Sequence, residues 1–197
     1  MKIVDEITLI SKGSFAQSAT LQTTLAQIRD AIATISWPEG SDGFYINPQR
    51  KGNGVKPIKA ACVTYLKDHG WKDEQRMRGQ GVAGTGPLDA LLETPEGNFA
   101  LEWETGNISS SHRALNKMCL GVMNGELLAG VLVLPSNKLY PHLTDRVGNI
   151  RELMPYLPLW SSINIENGYI GLIVIEQDGE KDDAPLIPKG TDGRALL

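Results

Sequence analysis

Asn98-Phe99-Ala100-Leu101-Glu102-Trp103-Glu104-Thr105 alternates large apolar residues with small or acidic ones, the two-residue period of a β-strand. Phe99, Leu101 and Trp103 fall on one face, Ala100, Glu102 and Glu104 on the other. At a rise of about 3.4 Å per residue the α-carbons of the two glutamates lie about 6.8 Å apart, near enough for both carboxylates to converge on one cation. Like charges held this close repel unless a metal or a proton intervenes. Just upstream, residues 88–94 read as a second strand and Pro95-Glu96-Gly97-Asn98 as the turn between them, so the segment is expected to be a β-hairpin. Asp89 lies on its first strand and the glutamate pair on its second.

Outward from the hairpin, periodicity supplies the other elements. Leu21, Leu25, Ile28 and Ile32 recur at helical spacing over residues 18–36, and Pro38-Glu39-Gly40 stops the run. Residues 39–56 are loop-like, and Pro57 opens a second helix that should bury Ile58, Cys62, Tyr65 and Leu66. A third helix carries Leu115, Met118, Cys119 and Val122 on one face, and its entrance, Gly106-Asn107-Ile108-Ser109-Ser110-Ser111-His112-Arg113, is polar. Residues 127–134 and 169–175 are short and continuously apolar, as in strands covered on both faces. A short helix is expected from Arg151 to Tyr156, and residues 178–197 read as an extended C-terminal tail. Residues 79–86 hold four glycines, yet no Gly-Lys-Ser/Thr follows and the next element is a strand, so they make a connector and not a phosphate loop.

Composition narrows the class. A chain of 197 residues suits a single α/β domain with a substantial core. No apolar run is long enough to span a bilayer, and the start, Met1-Lys2-Ile3-Val4-Asp5-Glu6, lacks the cationic flank and apolar stretch of a secretory signal, so no membrane association and a cytoplasmic location are expected. Cys62 and Cys119 show no metal-ligand spacing and fall in expected helices, which fits buried reduced thiols. The net charge of −4 does not exclude nucleic acid, because an enzyme that gathers acids around Mg²⁺ carries that charge into its total.

Asp89 and Glu102 supply the one or two carboxylates that Mg²⁺ typically uses alongside water and phosphate oxygens. Such a metal stabilises charge on a scissile phosphate, and Glu104 is then placed to accept the proton of an attacking water. Alternating acids equally fit a solvated strand face. Their company favours chemistry: Thr105-Gly106-Asn107 and three serines precede His112 and Arg113 at a helix N-terminus, where phosphates bind well. Thr144-Asp145-Arg146 adds a second polar turn. Arginine, aspartate and asparagine can also read guanine, cytosine and adenine in the major groove. His112, without a nucleophile motif beside it, reads as a structural hydrogen-bond donor.

Leu101-Glu102-Trp103-Glu104-Thr105-Gly106-Asn107-Ile108-Ser109-Ser110-Ser111-His112-Arg113 closely resembles the BamHI family of type II restriction endonucleases. Asn53-Gly54-Val55-Lys56-Pro57-Ile58-Lys59, Gly86-Pro87-Leu88-Asp89, Leu143-Thr144-Asp145-Arg146-Val147 and Pro185-Leu186-Ile187-Pro188-Lys189-Gly190-Thr191-Asp192-Gly193 resemble it in the same order. The resemblance implies a mixed central β-sheet flanked by helices, an α/β fold with the PD-(D/E)xK-type restriction endonuclease core, in one restriction endonuclease domain over residues 1–197. It further implies a homodimer that cuts double-stranded DNA at GGATCC, after the first G, with one or two Mg²⁺ ions per active site. By the same resemblance Asp89 and Glu102 are metal ligands, Glu104 replaces the superfamily's usual lysine, and Glu74 is a fourth catalytic acid. Asn107, Ser109, Arg113, Thr144, Asp145 and Arg146 take base-recognition positions, while Lys59, Gly193 and Arg194 approach phosphate or the minor groove. Two other classes compete. A non-catalytic DNA-binding protein would not need the intact acids, and a metal-free glycosidase would need more sugar-stacking surface than 6 % aromatic residues offers.

Overall fold

The computed structural model describes residues 1–79, 82, 84–144 and 147–190. Its strands are β1 (Lys2–Lys12), β2 (Tyr45–Ile46), β3 (Lys72–Gln75), β4 (Leu88–Thr94), β5 (Gly97–Trp103), β6 (Ala129–Pro135), β7 (Gly168–Glu176) and β8 (Gly179–Glu180). The helices are α1 (Ala19–Ala33), α2 (Lys56–Asp68), α3 (Ile108–Met123), α4 (Ile150–Leu153) and α5 (Leu157–Ser161). Six strands form one sheet in the order β1-β7-β6-β5-β4-β3, and β2 pairs with β8 apart from it. The central pairs β5–β6 and β6–β7 are parallel, while β1–β7, β4–β5 and β3–β4 are antiparallel. The sheet is therefore mixed, as expected.

Alternation along the strands divides the core in two. Phe99, Leu101, Trp103, Val131 and Val133 pack with Leu25, Ile28, Ile32 and Cys62 on the side of α1 and α2. Ala100, Leu132, Leu134 and Leu172 pack with Leu115, Met118 and Cys119 on the side of α3. Every residue of β6 is buried, because helices cover both faces of its parallel pairs. Both cysteines are free and buried, as expected, and burial pushes the thiols up to about 12 for Cys62 and about 11 for Cys119. Among the described residues no helix is long and apolar enough to cross a membrane.

Four strands were not expected: the short β2 and β8, which fall in segments read as loop and tail, and β1 and β3 of the main sheet. β1 has two bulges, between Ile3 and Asp5 and between Thr8 and Ile10, and each slips the side-chain parity, which erases the alternation that would mark an eleven-residue strand. β3 is the all-polar Lys-Asp-Glu-Gln; it forms because its backbone completes the edge of β4. Further departures are local. Tyr65 is half-buried, its ring stacked on His69. The helical turn after Ile150 becomes 3-10 over Met154–Tyr156. From Asp178 to Gly190 the chain contains no helix, and part of it runs along the loop after α1: the Asn47 amide donates to the carbonyls of Asp182 and Ala184.

Candidate active site

The register of the hairpin turns a separation of thirteen residues into adjacency. Ala90 pairs with Leu101 and Leu91 with Ala100, and just past these pairs the Trp103 backbone N–H donates to Asp89, whose charge acts on Glu102, so Asp89 comes beside Glu102. Asp73 pairs with Ala90 and Gln75 with Leu88, which sets Glu74 beside Asp89. Three acids thus lie in a row across β3, β4 and β5. Glu74 is exposed, and its φ of 50° is one of only two positive values among the described non-glycine residues; it joins none of the contacts of the other two.

Glu102 has the parity of Ala100 and faces α3, where its side chain is almost fully buried. Its partner there is Lys117, whose ammonium meets Oε1 of Glu102 in an ion pair and donates to the Pro87 carbonyl at 2.6 Å. Asp89 is held from two directions: Oδ2 accepts from the Trp103 backbone N–H at 2.8 Å, and Oδ1 meets Nζ of Lys59, from α2, at 2.5 Å. Glu104, just past the end of β5, is half-buried, and its backbone N–H donates to the Val133 carbonyl at 2.9 Å. Burial pushes both glutamates up to about 7. For Glu102 the opposing influence is chiefly Lys117, while Asp89 and Glu104 add to the rise. For Glu104 the charge of Asp89 adds to it, and Arg113, Lys59 and Lys117 oppose it.

The recognition candidates begin three residues beyond Glu104. Asn107 caps α3, its side chain accepting from the Ser110 N–H at 3.2 Å, and Ser109 and Arg113 are exposed on the first turns. The chain around Thr144 is drawn to the same place. Asn107 bridges to Val147, and the Gly148 N–H donates to the Gly106 carbonyl at 2.8 Å. Thr144 itself donates to the Asn53 carbonyl at 2.7 Å. Asp145, Arg146, Gly193 and Arg194 lie outside the described residues.

Asn53 is fully buried and ties three segments together. Its amide donates to the carbonyls of Asn47 and His142, and its Oδ1 accepts from the Ile187 N–H at 3.2 Å. His112 packs among aromatic rings: it meets Tyr156 edge-on with centroids 4.7 Å apart and lies 5.3 Å from the ring of Trp160. The residue that reading in sequence passed over is Lys117. It sits three positions after Ala114 and four before Gly121, on the buried stripe of α3, so helical periodicity alone marks it as a lysine on an apolar face.

Among the described residues no group of three or more His, Cys, Asp or Glu side chains is arranged to enclose a metal by itself. The neighbouring carboxylates of Asp89 and Glu102 nevertheless form a hard, all-oxygen donor set without His or Cys, which suits Mg²⁺ completed by water and phosphate oxygens. Each is already matched by an ammonium group, which marks the place as one that requires positive charge.

The chain as a whole resembles known proteins. The family model described as restriction endonuclease BamHI matches residues 1–194. The type II restriction enzyme OkrAI of Oceanobacter kriegii is 50% identical over 196 residues, covering 100% of each chain. The type II restriction enzyme BamHI of Bacillus amyloliquefaciens is 35% identical over 196 residues, covering 95% of this chain and 89% of that one. Among solved structures, restriction endonuclease BGLII complexed with a DNA 16-mer superposes with a TM-score of 0.64 over 90% of this chain and 79% of that one, at 10% identity, a likeness of fold.

Proposed function

The chain belongs to the BamHI family of restriction endonucleases and is a type II restriction enzyme; from that premise we propose that it cuts double-stranded DNA at GGATCC, after the first G, in a Mg²⁺-dependent hydrolysis that leaves four-base 5′ overhangs. The observation that carries this reading is the continuity of the two halves of the site. The acids end on β5 and just past it, and three residues after Glu104 the cap of α3 begins the set Asn107, Ser109 and Arg113.

In the proposed mechanism Asp89 and Glu102 hold Mg²⁺. When bound, the ion supplies charge stabilisation at the scissile phosphate and eases ionisation of the attacking water. Glu104 accepts the proton of that water, a role for which a carboxylate raised to about 7 is suited near neutral pH. Lys59 keeps Asp89 aimed and presents positive charge to the phosphate. Glu74, exposed beside Asp89, is an auxiliary acid. Asn107, Ser109 and Arg113 with Thr144, Asp145 and Arg146 read one half-site in the major groove, and Gly193 and Arg194 approach the minor groove.

A palindrome is read most simply by a two-fold homodimer, each subunit using the same residues on its own half-site. Exposed Leu120 and Met123 on α3, with Tyr156 and Leu159 nearby, supply an apolar surface for it. The reading treats residues 1–197 as one endonuclease domain with an extended tail over 178–197, at work in the cytoplasm, where the buried thiols stay reduced.

Digestion of a plasmid of known sequence with Mg²⁺, and in parallel with EDTA, followed by sequencing of the ends, tests the proposal. Discrete fragments ending at GGATCC, formed only with the metal, are expected. Random degradation would refute the specificity, and an intact plasmid in Mg²⁺ would refute the catalysis.

A further inference from the structure

We propose that Lys117 is a tethered counter-cation for Glu102: it neutralises that carboxylate while the site holds no metal and competes with the divalent ion for it. The inference rests on the reading in which Asp89 and Glu102 are the metal ligands. It concerns a residue to which that reading gives no part.

Lys117 lies on the stripe of α3 that packs against the sheet, between Ala114 and Gly121, and both it and Glu102 are almost fully withdrawn from water. A lone ammonium there would be costly, and so would a lone carboxylate. Each is tolerated because of the other. A methionine would fill the same space at no electrostatic cost, so packing alone does not account for a lysine.

Charge balance around the cluster does account for it. Asp89, Glu102 and Glu104 influence one another, and Lys59, Lys117 and Arg113 are the cations that act on Glu104. With the exposed Glu74 set aside, three acids face three bases, so their charges are largely offset before any ion arrives. Lys59 and Arg113 are more exposed than Lys117 and can turn toward a phosphate. Lys117 is buried and cannot follow DNA outward. Its remaining partner is the Pro87 carbonyl, two residues before Asp89. If a divalent ion takes Glu102, Lys117 keeps that hydrogen bond but loses its charge partner, and this cost is what sets the buried ammonium in competition with the ion. Lys117 thus acts as a positioning residue that holds Glu102 and the start of β4 in place, and lowers the affinity of the site for metal in the absence of DNA.

Thermal melts and calorimetric titrations with MgCl₂ alone, without DNA, test this on the full chain. Lys117→Gln keeps a donor for Pro87 but no charge, and Lys117→Met keeps only the volume and serves if the glutamine variant folds poorly. Both should melt lower than the parent without metal. They should gain more from Mg²⁺ than the parent does, with an apparent Kd lower by about tenfold, a change of about 1.4 kcal/mol. An equal loss of melting temperature with and without Mg²⁺, or an unchanged Kd, would overturn the proposal and leave Lys117 a packing residue. Glu102→Gln separates the two ideas. If it leaves the Mg²⁺ response intact, the metal assignment fails. The pairing is then judged by a metal-free double-mutant cycle between Lys117→Gln and Glu102→Gln, in which additive losses would refute it.

Discussion

Replacing Glu104 with glutamine should stabilise the metal-free protein at alkaline pH while abolishing its cleavage. Burial and the charge of Asp89 raise the Glu104 carboxyl from 4.5 to about 7. The folded state therefore binds the proton more tightly than the unfolded chain, and stability is lost as pH rises from the unfolded value through the folded one. Below about pH 4 both states are largely protonated and Glu104 costs little. Above pH 8 it is ionised in both, and the full penalty applies. At about 1.4 kcal/mol per pH unit, that shift corresponds to about 3 kcal/mol, already net of the opposing cations Arg113, Lys59 and Lys117. Glutamine imitates the protonated acid and escapes the penalty. Urea denaturation in EDTA from pH 5 to 9 is the assay. The variant should exceed the parent by less than about 1 kcal/mol near pH 5 and by about 2–3 kcal/mol at pH 8.5, the latter about 4–10 °C in Tm for a chain of this size. A gain that does not change with pH, or a loss at pH 8.5, would refute the reasoning, because neither can arise from an ionisation that folding opposes.

Three further outcomes follow from the geometry. Glu104→Lys should lower cleavage by about 10²–10⁴-fold, the range for loss of a general base, yet retain DNA binding in a mobility-shift assay; loss of binding would show that Glu104 shapes the recognition surface. Gly54→Ala should be severely disruptive, since an added β-carbon would lie 1.9 Å from the Pro188 carbonyl oxygen, and faster limited proteolysis of the C-terminal segment would report its release. Ser18→Ala removes the cap of α1, whose hydroxyl accepts from the Leu21 N–H at 3.0 Å, and should cost about 1 kcal/mol in urea melts with cleavage unchanged.

What could be read from the chain follows the range of each physical signal. Strand and helix periods are local, so β4, β5, α1, α2 and α3 are legible wherever apolar residues keep step. β1 fails that test because two bulges break its step, and β3 because an edge strand need bury nothing. The same-face placement of Glu102 and Glu104 followed from parity, and the structure bears it out for Glu102 opposite Phe99, Leu101 and Trp103.

The sequence by itself determined the hairpin, the acids on it, the helix entrance that follows and, by resemblance, the family. Only the tertiary structure decided that Asp89 stands beside Glu102, since that depends on the hairpin register. It also decided that Glu102 is neutralised by Lys117 and Asp89 by Lys59, because each lysine comes from a helix packed on a different face of the sheet. Asn53 joins the loop before Thr144 to the tail in the same way. Periodicity reports which way a side chain points, whereas the partner it meets there is set by how distant elements pack, and no spacing within one segment encodes that.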